Sequence, residues 1–310
     1  MSGNRIKTTT PNTIGYAHPG YAESLSEFGR LRELPRCKGW VLERQIQGSV
    51  FSDAIGCYPM FCCQDWSQLH LDIAELESDL VSLSLVPEVF GAYDRKQLHQ
   101  CFDTVVPFKN HYICDLSLPI GEIVSKHHQR YARKALKKII CEQHPKPVDF
   151  LDEWINLHAT LVDRHGISGI RAYSREAFAR QLCIPGMVVL RATHNGVTVG
   201  SQLWFMLNEV AYGHAQAFSP LGYELGAAYA LYWSALEFFA DKVRYCDYGG
   251  VSGLSDDDTG GLSWFKRGWT TEMRTAYFCG RILNQANYAE LVKSTELSAN
   301  TFFPAYRSGF

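Results

Sequence analysis

The chain has 310 residues, 46% of them hydrophobic and 20% charged, with a formal net charge of −2. Its length exceeds a typical single core and suits two fused halves, or one large domain with an extension, and its composition excludes a disordered chain. The small net charge excludes a global attraction to nucleic acid, so any such contact must come from a local patch.

The opening residues, MSGNRIKTTTPNT, lack the apolar core of a secretory signal, and no apolar run is long enough to cross a bilayer. The expectation is a frayed tail over 1–15 and a soluble, cytoplasmic protein without a membrane span. Ten cysteines occur without a CxxC pair, and eleven histidines without HExxH. Scattered cysteines among apolar neighbours predict free, buried thiols in a reducing compartment, with no disulfide and no structural metal.

In chain order, residues 20–30 read as a short amphipathic helix, and 40–44 and 51–62 as strands joined near Gly48–Ser49. Leu69, Ile73 and Leu76 recur at helical spacing within 67–78. Residues 80–86 alternate with period two and stop at Pro87, which predicts a strand; 96–102 is helical and 110–116 is a further strand. The run 122–140 is the most basic in the chain. As one helix it carries Lys126, Arg130, Arg133 and Lys137 on a single stripe, widened by Lys134 and Lys138, opposite an apolar side with Tyr131, Ala135, Leu136 and Ile139. Pro145 and Pro147 place a boundary between a first half, 16–145, and a second, 146–310, that carries the main site.

The second half opens on an amphipathic helix over 149–164 and continues with a helix over 174–182. Strands follow at 187–193 and 197–207. Asn195–Gly196 between them suits a primed hairpin turn, whose central residues need positive φ. A third strand at 209–218, a long apolar helix at 226–242 and a strand at 243–248 lead into a Gly- and Asp-rich loop. The loop returns through 264–269 to a last strand at 272–283.

Three segments carry candidate chemistry. Alternation along 211–218 places Tyr212, His214, Gln216 and Phe218 on one side and Ala211, Gly213, Ala215 and Ala217 on the other. His214 is either a proton carrier or substrate contact, or a buried histidine satisfied by its neighbours. Tyr223, Gly226, Ala227 and Ala228 stand at a helix start, where exposed N–H groups suit a pyrophosphate and small side chains equally suit close packing. Asp247 and Tyr248 enter the Gly-rich loop, which returns to Phe265, Lys266 and Arg267, the last two being cations able to neutralise a phosphate or an oxyanion. Asp256, Asp257 and Asp258 either bind a cation or an amine, or are simply solvated.

The sequence CDYGG at 246–250 followed by GLSWFKRGW at 261–269 resembles the Gly-Leu-x-x-Phe-Lys element of the Fem-type (FemAB-like) branch of the GNAT acetyltransferase superfamily. The resemblance is weak over 40–140 and good over 145–285. It implies an α/β (α+β) fold of two tandem GNAT-like halves, each a mixed, mostly antiparallel sheet flanked by helices. It also implies that Phe265 and Lys266 lie at the reaction site. The implied activity is N-acyl transfer, with an aminoacyl group moving from aminoacyl-tRNA to an amine of a small-molecule or peptide acceptor and no permanently bound cofactor. Lys266 would then stabilise the anion or a tRNA phosphate, His214 or Asp247 would relay the amine proton, and Tyr248 would protonate the leaving group. Lys126, Arg130, Arg133, Lys134 and Lys137 would contact tRNA. Two alternatives stay open: acyl-CoA as co-substrate, with its pyrophosphate at the Gly226 helix start, and a non-catalytic module that docks RNA or a partner. Tyr223 departs from the Gln or Arg that usually opens the acetyltransferase loop, and the long coiled-coil arm of some Fem-type enzymes is absent. The basic stripe separates the donors, because tRNA needs it and CoA does not.

Overall fold

The computed structural model describes residues 13–251, 260–294 and 302–307. The first twelve residues of the polar tail and the acidic triplet Asp256, Asp257 and Asp258 lie outside the described residues. The Asn195–Gly196 turn forms as its chemistry requires, with φ of 51° and 78°. It joins β7 (Met187–His194) to β8 (Val197–Leu207), which turns in its own right into β9 (Val210–Phe218). Strands β1 (Arg30–Leu34), β2 (Gly39–Gln45), β3 (Ser52–Gly56), β4 (Ser82–Leu85), β5 (Thr104–Asp115), β6 (Ile140–Gln143), β10 (Tyr245–Asp247) and β11 (Glu272–Ile282) complete the described strands.

All eleven strands lie in one sheet, ordered β1-β2-β3-β4-β11-β5-β10-β9-β8-β7-β6. Among these strands only β3–β4 and β10–β9 pair in parallel, so the sheet is mixed and mostly antiparallel. Two features join the halves. β11, the last strand in sequence, inserts between β4 and β5 of the first half. The three-residue β10 pairs antiparallel with β5 on one side and parallel with β9 on the other.

Helices cover both faces: α1 (Pro19–Glu23), α2 (Leu69–Leu76), α3 (Arg95–Cys101), α4 (Ile120–Ile123), α5 (Lys126–Ala135), α6 (Leu151–His165), α7 (Arg175–Gln181), α8 (Pro220–Leu225), α9 (Ala227–Phe239), α10 (Gly261–Arg267) and α11 (Gln285–Ser294). One face of the second half buries Trp204, Ala211, Cys246 and Trp269 with α5 and α9. The other buries Trp154, Phe178, Phe205 and Tyr212 with α1, α6 and α7. A third core packs α2 and α3 on the first half around Phe61, Leu83 and Leu85. No described helix is long and apolar enough to cross a membrane. The ten cysteines are unpaired, and eight of them are buried.

Several local expectations change. The run 122–140 is not one helix. Ser125 caps α5 through its Oγ, α5 ends at Ala135, and residues 140–143 leave as the short edge strand β6. Lys126, Arg130, Arg133 and Lys134 therefore ride α5, while Lys137 lies in the turn beyond it. The helix expected over 20–30 shortens to α1 because Arg30 already enters β1. Residues 261–267 form α10. The Gly226 tract divides. Pro220–Leu225 forms α8, and Gly226, at φ 74°, turns the chain into α9 in a left-handed conformation that favours glycine.

Candidate active site at the seam of the sheet

β9 and β10 remain paired only over Val210–Tyr212 and Tyr245–Asp247. Beyond that point β9 runs on to Phe218 while the other chain turns away at Tyr248, so the strands diverge. A β-bulge lies on β9 at the same place. Gly213 pairs with Trp204 and Ala215 with Leu203, which leaves His214 as the extra residue. The bulge corrects the alternation expected from the sequence. Tyr212 and Ala217 belong to one core, Ala211 and Phe218 to the other. His214 stays on the Tyr212 side, in edge-on contact with Tyr16, whereas Gln216 turns to Gln202 and Tyr232.

Three adjoining cavities occupy the divergence. A cavity of about 600 Å³ lies where the halves meet, lined by Lys109, His111, Tyr212 and Asp247 among others. A larger one of about 880 Å³ lies against α6–α9, with walls that include Tyr173, Phe178, Tyr223, Tyr229 and Phe265. A third, of about 220 Å³, shares Gly213, His214, Tyr248 and Lys266 with the first and His214, Ala215 and Gln216 with the second.

Lys266 is not a surface lysine. It is 6% exposed, and its Nζ donates to the carbonyls of Tyr248 (2.6 Å), Gly250 (2.6 Å) and Gly249 (3.3 Å). Burial lowers its pKa to about 8, against the opposing attraction of Asp247. All three ammonium hydrogens thus hold the turn after β10. Asp247 is 1% exposed. Its Oδ1 accepts from the Gly249 N–H at 2.7 Å, and its Oδ2 lies 2.8 Å from Nδ1 of His111. Tyr248 stacks on Tyr232 at 5.0 Å, and its buried hydroxyl lies near the Cys114 and Cys246 thiols.

His214 has both nitrogens engaged. The Tyr16 hydroxyl donates to Nδ1 at 2.9 Å, and Nε2–H donates to Oε1 of Gln181 at 3.0 Å. Gln181 passes the chain on to Ser24, which donates to the Tyr21 carbonyl. Burial lowers the His214 pKa to about 3, so the ring stays neutral.

Of the helix-start residues, Tyr223, Gly226 and Ala228 line the larger cavity, with the Arg164 guanidinium 4.2 Å from the Tyr223 ring centre. Ala227 is fully buried in the core instead. Phe265 meets Tyr232 and Tyr229 edge-on at 4.9 and 5.0 Å. The basic helix reaches this rim through a residue the sequence did not single out. His128 is buried between α5 and α10, accepts from the Ser125 hydroxyl at Nδ1 (2.7 Å) and donates from Nε2 to the Phe265 carbonyl (3.0 Å). A Cβ on Gly268 would lie 2.2 Å from this ring, which is why glycine follows the Phe-Lys-Arg run. Lys126, Arg130, Arg133, Lys134 and Lys137 are all exposed, beside an aromatic group formed by His127, Tyr131 and Trp264.

Sequence reasoning also missed His111 and Glu88. Glu88 is 5% exposed beneath the seam cavity and accepts from the Tyr212 hydroxyl at 2.9 Å. Neither carries a motif; each partner lies more than a hundred residues away in sequence.

Comparison with solved structures places this architecture. The described topology is the fold of FemX. FemX superposes with a TM-score of 0.66 at 13% identity, over 90% of this chain and 95% of that one. L-PGS from Bacillus licheniformis gives 0.59 at 13% identity, over 94% and 100%. The C-terminal domain of a putative lysylphosphatidylglycerol synthetase from Agrobacterium fabrum gives 0.59 at 11% identity, over 89% and 91%. No protein-family model matches the sequence, and no curated protein matches it either.

Proposed function

We propose that this protein is an acyltransferase that moves an aminoacyl group from aminoacyl-tRNA to an amine of a small-molecule or peptide acceptor. The observation that carries this reading is the pair of cavities that share His214 with a third, smaller one at the β9/β10 divergence, with the basic helix α5 fastened to the rim of one of them. An acyl-transfer site needs two reactants brought together from different directions and water kept out between them. The α6–α9 cavity would take the acyl donor, its apolar walls suiting the acyl side chain. The seam cavity would take the acceptor.

The tRNA donor is supported by the cations of α5, which a CoA donor does not require, and by the likeness to FemX and to proteins named for lysylphosphatidylglycerol synthesis. Lys266 supports the reaction by fixing the turn that holds Asp247 and by placing positive charge in the wall of the smallest cavity, where a tetrahedral oxyanion would form.

Reversing Arg130, Lys134 and Lys137 to Glu tests the donor. All three are exposed and outside the cores, so the fold should be unaffected. The triple variant should bind charged tRNA more weakly. The slope of log K against log salt should fall by about one for each phosphate that is no longer neutralised. Unchanged tRNA binding with an unchanged slope would show that the stripe is a solvated face and would withdraw its support for a tRNA donor.

A further inference from the structure

We propose that His111 is the general base for the acceptor amine and that Asp247 is the residue that positions it, an inference that rests on the transfer reading above. His111 projects from β5 in the first half and Asp247 ends β10, so the pair forms only because β10 joins the two halves of the sheet. Asp247 has each oxygen assigned: Oδ1 takes the Gly249 N–H and Oδ2 faces Nδ1 of His111. Oδ2 takes the proton of Nδ1 in this hydrogen bond, so in the neutral ring Nε2 is the nitrogen with the lone pair. His111 lines the seam cavity, and Nε2 has no hydrogen-bond partner among the described residues. The two histidines of this region therefore differ in kind. His214 has both nitrogens committed to Tyr16 and Gln181, whereas His111 is oriented through one nitrogen and offers the other to the cavity.

The step balances with these groups alone. The amine nitrogen bonds to the acyl carbon and passes its proton to Nε2 of His111. The tetrahedral carbon then expels the donor oxygen with the electrons of the C–O bond, and that oxygen takes the proton back from Nε2. The products are an amide, the free hydroxyl of the donor and a neutral His111. No oxidant, metal or covalent intermediate is needed.

The test uses the full chain with its donor and acceptor. His111→Gln keeps an N–H to offer Asp247 but has no basic lone pair, so the turn after β10 should hold. Turnover should fall by roughly 10²–10⁴-fold, while tRNA binding and its salt slope stay at wild-type values. His111→Ala should regain part of its turnover when imidazole is added, because the seam cavity of about 600 Å³ has room for it. Near wild-type turnover in His111→Gln overturns the proposal and leaves the transfer reading standing. A loss that imidazole does not restore, accompanied by weakened donor binding, assigns His111 a structural role and also overturns it. Failure of the wild-type protein to transfer from charged tRNA or acyl-CoA would remove the transfer reading first, and this proposal with it.

Discussion

Replacing Lys266 with Met should lower turnover by roughly 10²–10³-fold, the cost typical of removing one group that stabilises developing negative charge. Met keeps most of the apolar stem and deletes the ammonium. From sequence alone that exchange would leave stability almost unchanged. The structure alters this expectation, because the ammonium is buried and bonds three carbonyls of residues 248–250. Stability should therefore fall too, by roughly 1–3 kcal/mol for the carbonyls left without a donor. Assays run well below the unfolding midpoint separate the two effects. Lys266→Arg should recover only part of the turnover, since a planar fork cannot point three donors at three converging carbonyls as an ammonium does. Near wild-type turnover in Lys266→Met would show that the reaction centre lies elsewhere.

The second large effect is a pH dependence of stability centred on Glu88. Burial raises its pKa from an ordinary 4.5 to about 7, partly opposed by hydrogen bonds from Tyr212 and Cys62. Between those values the unfolded chain has lost the proton while the folded chain keeps it. The stabilisation that Glu88 gives is therefore whole below pH 4.5 and lost as pH rises through 7. Glu88→Gln stays neutral throughout and can still accept from Tyr212. The difference in unfolding free energy between variant and wild type should shift in the variant's favour by roughly 2–3 kcal/mol from about pH 5 to about pH 8. Denaturant titrations at the two pH values measure this directly. A constant difference would mean that Glu88 is ionised in the folded protein at both.

The contrast between what the sequence revealed and what it hid follows from the range of each interaction. The Asn195–Gly196 hairpin and the amphipathic α6 are local, and their patterns show in a few adjacent residues. The bulge at His214 is not local. A strict period of two carried Tyr212, His214, Gln216 and Phe218 to one face, whereas pairing with β8 adds one residue and reverses the faces beyond it. The insertion of β11 between β4 and β5 has no sequence signal either, because a strand does not encode its neighbours in its own alternation. Likewise His111 becomes notable only when β10 brings Asp247 beside it, 136 residues on in sequence. Phe265 and Lys266 stand out in the sequence because a compact motif carries both. Lys266 being buried rather than solvated required the fold.

Acyl transfer itself is decided by incubating the purified protein with a pool of charged tRNA and, separately, with a panel of acyl-CoA thioesters, each with a mixture of amine acceptors, and following deacylation of the donor. Protein-dependent deacylation of one or more aminoacyl-tRNAs is expected, accelerated by acceptor and slowed roughly 10²–10³-fold in Lys266→Met. Deacylation confined to the acyl-CoA panel would contradict the tRNA donor. Inertness of both pools with every acceptor would contradict acyl transfer altogether.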